Sequence, residues 1–556
     1  MANFLSLFLS VSFVIGMVNG SKSQNDTFPA MPTPEQVLWQ DMELSMFVHF
    51  APNTWEGTET DNRVTPLARI NPEKLDVNQW IDAAESFGAK MIIFVAKHAG
   101  GFCMWQTETT DYSIKNTPYK NGKGDILDEI AKACFERGMK LGIYIYPGDD
   151  TWGAYAGGGG RTKDPTKQEA YNKVLRMQWE EVLSRYGKQI SEIWYDGGLV
   201  VPLEDIVKKY APDAIVFQGP FASIRWVGNE QGFAPYPAWN GVKTEDAKTG
   251  IATADHGNPD GKSWLPLEVD VPLKDHNWFW SPTNSKNLRN AGQLMDMYYK
   301  SVGRGAVLLL NSAPDTTGLI PAEDMAIYKE FGEEIKKRFL NCIATTEEKG
   351  EVITTEFAAK TMADHVVICE DIIFGERVRE YVVEYRSGGQ WLEISRGTSI
   401  GHKRIEKFDP VEAEAVRVRF LKYSYLPVIR ELSVYYSGIT DESNQLTADK
   451  KDVLVASQTI TKTGKFEIDL TGYIKKAGQY KVIAKSNGKA MTFDEVAVFL
   501  HGVETPGFAA AKDDGSCNLN ITAHPTGEKS SIILKGKLNL GKVNGEFKMD
   551  FYIQHN

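Results

Sequence analysis

Asp196 stands at the end of an apolar run, SEIWYDG, between Trp194 and the pair Gly197-Gly198. A carboxylate in that position is partly shielded from water, the indole offers an aromatic wall, and the glycines let a ligand approach closely. These conditions suit a nucleophile. The alternative is structural, because Asp often caps the helix that follows a strand.

Glu230 is the second carboxylate of interest, in the run RWVGNEQG at 225–232. A Glu in an aromatic-lined loop can keep a raised pKa and act as a general acid beside a nucleophilic carboxylate. Glu268 and Asp270 in LPLEVDV are rivals for this role, since they also lie near a strand end. For these two, the alternative is an exposed strand face on which acidic residues alternate.

His49 and His98 end two further apolar runs, MFVHF and KMIIFVAKH. A single His in such a run is usually a satisfied interior residue, but two at the same end of neighbouring strands predict contacts to substrate hydroxyl groups. Tryptophans are also frequent at the strand ends and loops of this region, where they could stack on sugar faces. No HxH, HExxH or Asp-rich loop is present, so we expect neither a metal nor another cofactor.

The elements that must position these side chains are eight short apolar runs that alternate with amphipathic stretches, as in a series of βα units. The predicted strands are 46–50, 90–98, 140–147, 191–197, 213–219, 224–228, 267–271 and 305–311. Runs that are apolar on both sides are typical of a parallel sheet covered by helices. We therefore predict an α/β fold with a (β/α)8 barrel over 33–340, which lacks the helix after its fifth strand.

The chain after Phe339 consists of alternating strand patterns with turn signals, which predict two C-terminal β-sandwich domains at 341–437 and 447–556, joined by a linker at 438–450. Within the barrel region, the glycine-rich stretch 153–164 lacks the ending of a phosphate-binding loop. It predicts either a flexible loop or a mobile lid over a pocket.

The composition limits the class of protein. The 556 residues are 42% hydrophobic, which supports several packed domains, and the net charge of −11 leaves no basic surplus for phosphates. Nucleic acid is therefore not an expected partner. The five cysteines have no metal-ligand spacing. The amino-acid sequence does not indicate an oligomeric state.

The N-terminal residues 1–20 contain an apolar run from Phe4 to Val18, followed by a polar stretch. This pattern predicts a signal peptide, although the run is not preceded by Lys or Arg. Its roughly fifteen apolar residues are too few for a comfortable membrane span, and no later run approaches the required length. We expect an exported protein, periplasmic or secreted, without a transmembrane segment.

Taken together, the motifs resemble glycoside hydrolase family 29, the retaining α-L-fucosidases, from about Trp39 to Phe339. The runs that carry the resemblance are MFVHFAPNTW, AKHAGGFCMWQTETTDYSIKN, LGIYIYP, IWYDGG, IRWVGNEQG, EVDVPLKDHNWFW and LLLNSAPDTTGLIP. The IWYDGG and RWVGNE runs are most similar to the subgroup that acts on α-1,3/1,4-linked fucose. The segment from about Cys342 to Ser437 resembles a discoidin-type sandwich, which in other proteins often binds carbohydrate.

The resemblance implies a role for each matched residue. It makes Asp196 the nucleophile and Glu230 the acid/base, and it places five further residues in the sugar pocket: His49, His98, Tyr144, Trp194 and, as a looser match, Trp280. One segment departs from the family, which usually has a second His and an acidic residue in the stretch written here as KHAGGF at 97–102, where Ala99 cannot hydrogen-bond a sugar hydroxyl. One pocket contact is therefore missing or supplied from elsewhere.

The implied partner is a fucosylated oligosaccharide or glycoconjugate, and the implied reaction is retaining hydrolysis through a covalent glycosyl-enzyme. Retention predicts a separation of about 5–5.5 Å between the two carboxylates. Two alternatives stay open: the same chemistry on a galactose-like sugar, which Ala99 could permit, and a catalytically weak carbohydrate-binding protein.

Overall fold

The computed structural model describes residues 28–439, except 246 and 248–255, and beyond residue 452 it describes nine β-strands and residue 470. The predicted signal peptide at 1–20 lies outside the described residues. The chain divides into two compact units, Met1–Gly438 and Ile439–Asn556. Over the part that is described, no helix is both long and apolar enough to cross a membrane.

The first unit contains the predicted parallel barrel. The described strands of this region are β1 Leu44–Val48, β2 Met91–Lys97, β3 Lys140–Ile145, β4 Ile190–Trp194, β5 Ile215–Phe217, β6 Arg225–Trp226, β7 Gly241–Val242, β8 Ser263–Trp264, β9 Leu267–Pro272 and β10 Val307–Ser312. Strands β7 and β8 pair with each other in a separate two-stranded sheet. The other eight form one parallel sheet in the order β5-β4-β3-β2-β1-β10-β9-β6. An isolated parallel bridge between Phe217 and Ile224 joins the two edge strands. All eight predicted strands are confirmed.

Helices follow most of the barrel strands. The described α-helices are α1 Pro34–Gln40, α2 Asn53–Glu56, α3 Val77–Ser86, α4 Ile126–Arg137, α5 Gln168–Tyr186, α6 Glu204–Tyr210, α7 Ala291–Lys300 and α8 Ala322–Phe339. Local sequence sets their ends: Asp125 accepts a hydrogen bond from Asp128 N at the start of α4 (2.9 Å), and Gly138 ends it with φ 69°. As expected, residues 218–224, between β5 and β6, contain no helix.

A six-stranded antiparallel sheet completes the first unit. Its strands are β11 Cys342–Lys349, β12 Val352–Glu370, β13 Val378–Ser387, β14 Gln390–Gly397, β15 Arg404–Tyr423 and β16 Val428–Tyr435, in the order β11-β16-β12-β15-β13-β14. The two longest strands, β12 and β15, lose register between Glu356 and Thr361, and such bulges bend a strand. The six strands form one hydrogen-bonded sheet, and Ile353 and Val366, from the two halves of β12, belong to one apolar core. The sandwich at 341–437 and its discoidin type stay predictions.

This sheet packs directly on the barrel. Glu376, which precedes β13, is 4% exposed and accepts hydrogen bonds from the backbone N–H of Asn240 (2.8 Å) and from its side-chain amide (2.9 Å). Arg430 donates both to Asp41 (2.8 Å) and to His402 Nε2 (2.7 Å). The barrel and the sheet therefore share buried polar contacts as well as an apolar core.

The second unit is built from β-strands as well. Those described are β17 Val453–Ile460, β18 Gly464–Asp469, β19 Gly478–Ser486, β20 Thr492–Leu500, β21 Val503–Thr505, β22 Ala509–Ala511, β23 Ser516–Ala523, β24 Ile532–Asn539 and β25 Phe547–His555. They form two antiparallel sheets, β17-β25-β19-β23-β22 and β18-β24-β20-β21. Two antiparallel sheets are the elements of the predicted β-sandwich.

Candidate active site

A cavity of about 200 Å³ opens at the carboxyl ends of the barrel strands. Six of the seven sequence-predicted site residues line it: His49, His98, Tyr144, Trp194, Asp196 and Glu230. Trp280 is not among the lining residues, and Trp278, two positions earlier, takes a place in the wall. The barrel thus brings together side chains from loops and strands that are far apart in the sequence.

Asp196 follows β4 directly and is half-buried. The Tyr144 hydroxyl donates a hydrogen bond to its Oδ2 (3.1 Å). Burial raises the pKa of Asp196, and the nearby charge of Glu230 adds to this, whereas the Tyr144 bond opposes it. Asp196 does not cap a helix, because α6 begins only at Glu204 with Leu203 at its N-cap, so the structural alternative is wrong.

The chain turns sharply after Asp196. Gly197 has φ 75°, and a Cβ there would lie 2.8 Å from the Cα of Gly157 in the glycine-rich loop. A side chain at position 197 would therefore push that loop away. The loop is also held by the Tyr146 hydroxyl, which accepts from Gly157 N (2.8 Å). The predicted loop or lid at 153–164 thus packs against the turn that carries Asp196.

Glu230 lies in the loop after β6 and is exposed at the cavity mouth. The Trp278 indole N–H donates to its Oε2 (3.2 Å). An exposed carboxylate at the mouth can exchange protons with water, while Asp196 lies deeper in the same cavity. The arrangement separates two carboxylates by environment, which is how one fold can supply both a nucleophile and an acid.

His49 and His98 are neutral polar groups in the cavity wall. His49 Nδ1 lies 2.7 Å from Asn311 Oδ1, and Asn311 uses its amide to donate to the Trp278 carbonyl (2.8 Å). His49 Nδ1 therefore carries the proton, which leaves Nε2 as an acceptor. Burial, helped by His98, holds the pKa of His49 well below its usual value, and burial lowers the pKa of His98 to about 4.

Aromatic rings form the rest of the wall. Trp194 stacks on Phe217 with ring centroids 3.6 Å apart, and Phe47 meets Trp194 edge-on at 4.7 Å. His98 stacks on Tyr144 with the ring planes 9° apart. An aromatic wall beside neutral imidazoles suits a ligand that has both C–H faces and uncharged hydroxyl groups.

Glu59 is a cavity residue that sequence reasoning missed. It lies in the loop after β1, and its carboxylate accepts from the Asn277 amide (3.3 Å) and from Trp278 N (3.0 Å). Desolvation at the cavity wall raises its pKa, and the charge of Glu230 contributes further. The acidic loop sequence WEGTETD holds three candidate acids, and nothing in their spacing distinguishes Glu59.

Two acids lie fully buried beneath the cavity. The Trp194 indole N–H is shared between Glu192 Oε1 (2.8 Å) and Glu268 Oε2 (2.9 Å), and Trp39 donates to Glu192 Oε2 (2.6 Å). Burial raises the pKa of both acids, and Glu192 raises that of Glu268 further. The exposed-face alternative for Glu268 and Asp270 is wrong, since both side chains are buried inside the barrel. Glu192 and Glu268 hold the Trp194 ring in place.

Sequence comparison assigns this site to a family. A family model described as Alpha-L-fucosidase matches residues 66–338. The α-L-fucosidase 1 of Arabidopsis thaliana is 30% identical in an alignment of 467 positions that covers 75% of this chain and 90% of the plant protein. The chain belongs to the α-L-fucosidase family.

Solved structures of the α-L-fucosidase family resemble this chain as well. A glycoside hydrolase 29 family member from an unknown rumen bacterium has a TM-score of 0.69 and 25% identity, over 95% of this chain and 99% of the other. A Ruminococcus gnavus GH29 fucosidase in complex with fucose has a TM-score of 0.65 and 27% identity, over 74% of this chain and 96% of the other. The resemblance seen in the sequence is therefore confirmed at the level of the family.

The departure from the α-L-fucosidase pattern at Ala99-Gly100 has a structural counterpart. A Cβ at Gly100 would lie 2.0 Å from Asp61 Oδ2, so the Asp61 carboxylate occupies the space of a side chain at position 100. Tyr112 O–H donates to Asp61 at 3.0 Å, and Arg63 N donates at 2.8 Å. The carboxylate of an acid from the loop after β1 thus fills the space beside Gly100.

Metal binding has no support in the geometry. Within the described ranges, no group of three or more His, Cys, Asp or Glu side chains is arranged to hold a metal ion. The carboxyl groups of the cavity instead accept hydrogen bonds from indole, amide, hydroxyl and backbone donors. The reaction that these groups can perform is acid–base and nucleophilic chemistry on a neutral substrate.

Proposed function

We propose that this protein is an α-L-fucosidase that removes terminal L-fucose from glycans with retention of configuration. The observation that carries the proposal is that Asp196 and Glu230, from two different strand ends, line one cavity with neutral imidazoles and an aromatic wall. Membership of the α-L-fucosidase family and the likeness to a fucose complex support the choice of sugar.

In the first step, an Asp196 oxygen attacks the anomeric carbon of fucose while Glu230 gives its proton to the departing glycosidic oxygen. The bond from sugar to aglycone breaks, and an ester bond from sugar to Asp196 forms. In the second step, Glu230 takes a proton from water, and the water oxygen displaces Asp196. The net reaction adds one water, and both carboxyl groups return to their starting states.

The surrounding groups have defined tasks in this scheme. The Tyr144 hydroxyl, bonded to Asp196 Oδ2, fixes the orientation of the nucleophile. Trp278 donates a hydrogen bond to Glu230 from its indole N–H and one to Glu59 from its backbone N–H, so the side chain of the acid/base is anchored to the cavity wall. The neutral histidines offer hydrogen bonds to hydroxyl groups without a charge that would require a counter-ion.

The test is hydrolysis of an aryl α-L-fucoside by wild type, Asp196→Ala and Glu230→Ala. We expect both variants to lose activity by at least about 100-fold. Added azide should rescue each with a different product: a β-fucosyl azide from Asp196→Ala and an α-fucosyl azide from Glu230→Ala. Full activity in Asp196→Ala would refute the nucleophile. Wild-type inactivity on every fucoside would favour a galactose-like substrate or a binding protein.

For linkage, we propose α-1,3 and α-1,4 fucosides, supported by the RWVGNE and IWYDGG runs. A panel of α-1,2-, α-1,3- and α-1,4-linked fucosyl oligosaccharides, including Lewis-type branched glycans, measures kcat/KM for each. Preference for the branched α-1,3/1,4 substrates is the expected outcome. Equal rates on unbranched α-1,2 substrates would contradict the subgroup assignment.

We also propose that the protein is exported, on the basis of the apolar run at residues 4–18. N-terminal sequencing of the protein recovered from the periplasm or the medium should begin near residue 21. Recovery from the cytoplasm with Met1 intact would refute export.

A further inference from the structure

Four carboxyl groups line the cavity: Glu59, Asp196, Glu230 and Asp270. Among the described residues, no Lys or Arg side chain lines it to offset their charge. Carboxylates that share so small a space repel one another, and one of them then keeps its proton at neutral pH. The environments of the four carboxyl groups differ, and they indicate which group keeps its proton and which ligand atom that proton can reach.

Three of the four have an environment that supports the ionised form. Asp196 accepts from the Tyr144 hydroxyl and from its neighbouring backbone N–H, Glu59 accepts from an amide and a backbone N–H, and Glu230 is exposed to water. Hydrogen bonds and water both favour the charged state of a carboxyl group. For Asp196 and Glu59, these partners stabilise the ionised form. Glu230, exposed to water, can take up and release the proton that its acid/base role requires.

Asp270 is different. It lies on β9, opposite Leu309 of β10, and its side chain is only 5% exposed. The Trp226 indole N–H donates to its Oδ1 (2.6 Å). Its own backbone N–H also hydrogen-bonds to the carboxyl group, so its deeper burial, and not a lack of partners, distinguishes Asp270 from the half-buried Asp196. Within the described part of the chain, no side chain donates to Oδ2, which lies at the cavity wall as the oxygen for a ligand.

We propose, building on the function proposed above, that Asp270 is a neutral carboxylic acid whose Oδ2–H donates a hydrogen bond to a hydroxyl group of the bound sugar. The indole N–H of Trp226 fixes the orientation of the carboxyl group by occupying Oδ1. Asp270 is thus a specificity-determining residue and not a rival to Glu230 as the acid that protonates the leaving group.

The charges around Asp270 agree with this role. Burial, together with the charges of Glu230 and Asp196, raises its pKa to about 8, while the Trp226 bond opposes the shift. On its own strand, Glu268 lies buried two residues away. On β6, the Arg225 side chain donates to the carbonyls of Leu265 and Trp239. On β10, the groups near the cavity are Leu309 and the amide of Asn311, which are uncharged.

A pH dependence follows. Above about pH 8, Asp270 would lose its proton, add a negative charge to the cavity and change Oδ2 from a donor to an acceptor. A sugar hydroxyl that accepts a hydrogen bond from Oδ2–H would then face a lone pair of Oδ2, and that hydrogen bond would be lost. Sugar affinity should therefore fall as the pH rises through 8.

The experiment measures L-fucose binding by calorimetry at about pH 6 and about pH 9.5, for wild type, Asp270→Asn and Asp270→Ala. The Asn amide can accept from Trp226 and still donate to the sugar at both pH values. We expect Asp270→Asn to bind within about threefold of wild type at the lower pH and Asp270→Ala to bind about tenfold or more weakly. Wild type should lose about tenfold in affinity at the higher pH, and Asp270→Asn should lose less than threefold.

The inference is overturned if Asp270→Asn binds as weakly as Asp270→Ala, or if wild type and Asp270→Asn weaken equally with pH. A second measurement does not depend on the Ala variant. The infrared difference between wild type and Asp270→Asn should contain the C=O band of a protonated carboxyl group at about pH 6 and lose it at about pH 9.5. Absence of the band at the lower pH also overturns the inference.

Failure of this inference can be told apart from failure of the proposed function. The same preparations are assayed on an aryl α-L-fucoside. If wild type hydrolyses it but Asp270→Asn and Asp270→Ala bind fucose equally badly, the function stands and the role of Asp270 fails. If wild type binds fucose with the expected pH dependence but hydrolyses no fucoside, the role of Asp270 stands and the hydrolase proposal fails. If wild type binds no L-fucose, both fail.

Discussion

Replacement of Trp194 by Phe tests whether the buried acids beneath the cavity depend on its indole N–H. That one N–H lies 2.8 Å from Glu192 Oε1 and 2.9 Å from Glu268 Oε2. Phe keeps an aromatic ring that can stack on Phe217 but has no donor. The variant therefore leaves two fully buried carboxyl groups with fewer partners, and Glu268 Oε1 already has none among the described groups.

The expected loss follows from the cost of an unsatisfied buried polar group, about 1–3 kcal/mol each. With two acceptors affected, Trp194→Phe should lower the free energy of unfolding by about 3 kcal/mol beyond the effect of the smaller ring. Trp179→Phe is the matched control, because Trp179 is also fully buried and its Nε1 has no partner among the described groups. Both variants remove the same atoms, but only one removes hydrogen bonds.

The assay is urea unfolding of wild type and both variants, followed by circular dichroism. We expect Trp194→Phe to be less stable than Trp179→Phe by about 3 kcal/mol. Equal destabilisation of the two variants would refute the reasoning, because it would show that the two acids do not depend on the indole N–H.

Three further predictions concern other parts of the first unit. Tyr144→Phe removes the hydroxyl that donates to Asp196 (3.1 Å), so kcat/KM on an aryl fucoside should fall about 10- to 100-fold. Because that hydrogen bond lowers the pKa of Asp196, the acidic limb of the pH–rate profile should move to higher pH. An unchanged acidic limb would contradict this prediction. Gly100→Ala places a Cβ 2.0 Å from Asp61 and should cost about 1–3 kcal/mol of unfolding free energy. Asp61→Gly should recover part of that cost in the double variant, and simple additivity would count against the contact. Burial raises the pKa of Glu376 to about 8, so this carboxyl group keeps its proton in the folded protein at a pH where the unfolded chain has already lost it. The free energy of unfolding of wild type should therefore fall by up to about 4 kcal/mol as the pH rises from about 4.5 to 8. Glu376→Gln should show a smaller fall in the same urea titrations, and an equal one would contradict the assignment.

The barrel could be predicted from sequence because its strands are buried on both faces. In β2, every residue of MIIFVAK is buried, and such an uninterrupted apolar run is visible without a structure. The missing helix between β5 and β6 was visible too, since 218–224 is short and has no helical periodicity. The single bent sheet at 341–437 was not, because strand patterns alone do not show which strands share hydrogen bonds.

The site could be predicted where it lies at strand ends, as for Asp196 and His98. Glu59 lies in a loop well past β1, and the path of that loop is set by tertiary contacts such as the one from Asn53 Nδ2 to the Glu59 carbonyl (3.0 Å). Trp278 and Trp280 are two residues apart, and which of them faces the cavity depends on the turn before them. The alternation of side chains along a strand predicts that Glu268 and Asp270 share one face of β9. It does not show whether that face points into the barrel or to solvent.

The closure of the barrel makes the two sides of the cavity unequal in their support. Between β5 and β6, the ring of strands is joined by one bridge, from Phe217 to Ile224, where other neighbours share a ladder. Phe217, Gln218 and Trp226 flank this seam and also line the cavity. One wall of the cavity is therefore joined by a single bridge, whereas the opposite wall, which carries His49 and His98, stands on the ladders that join β1, β2 and β3.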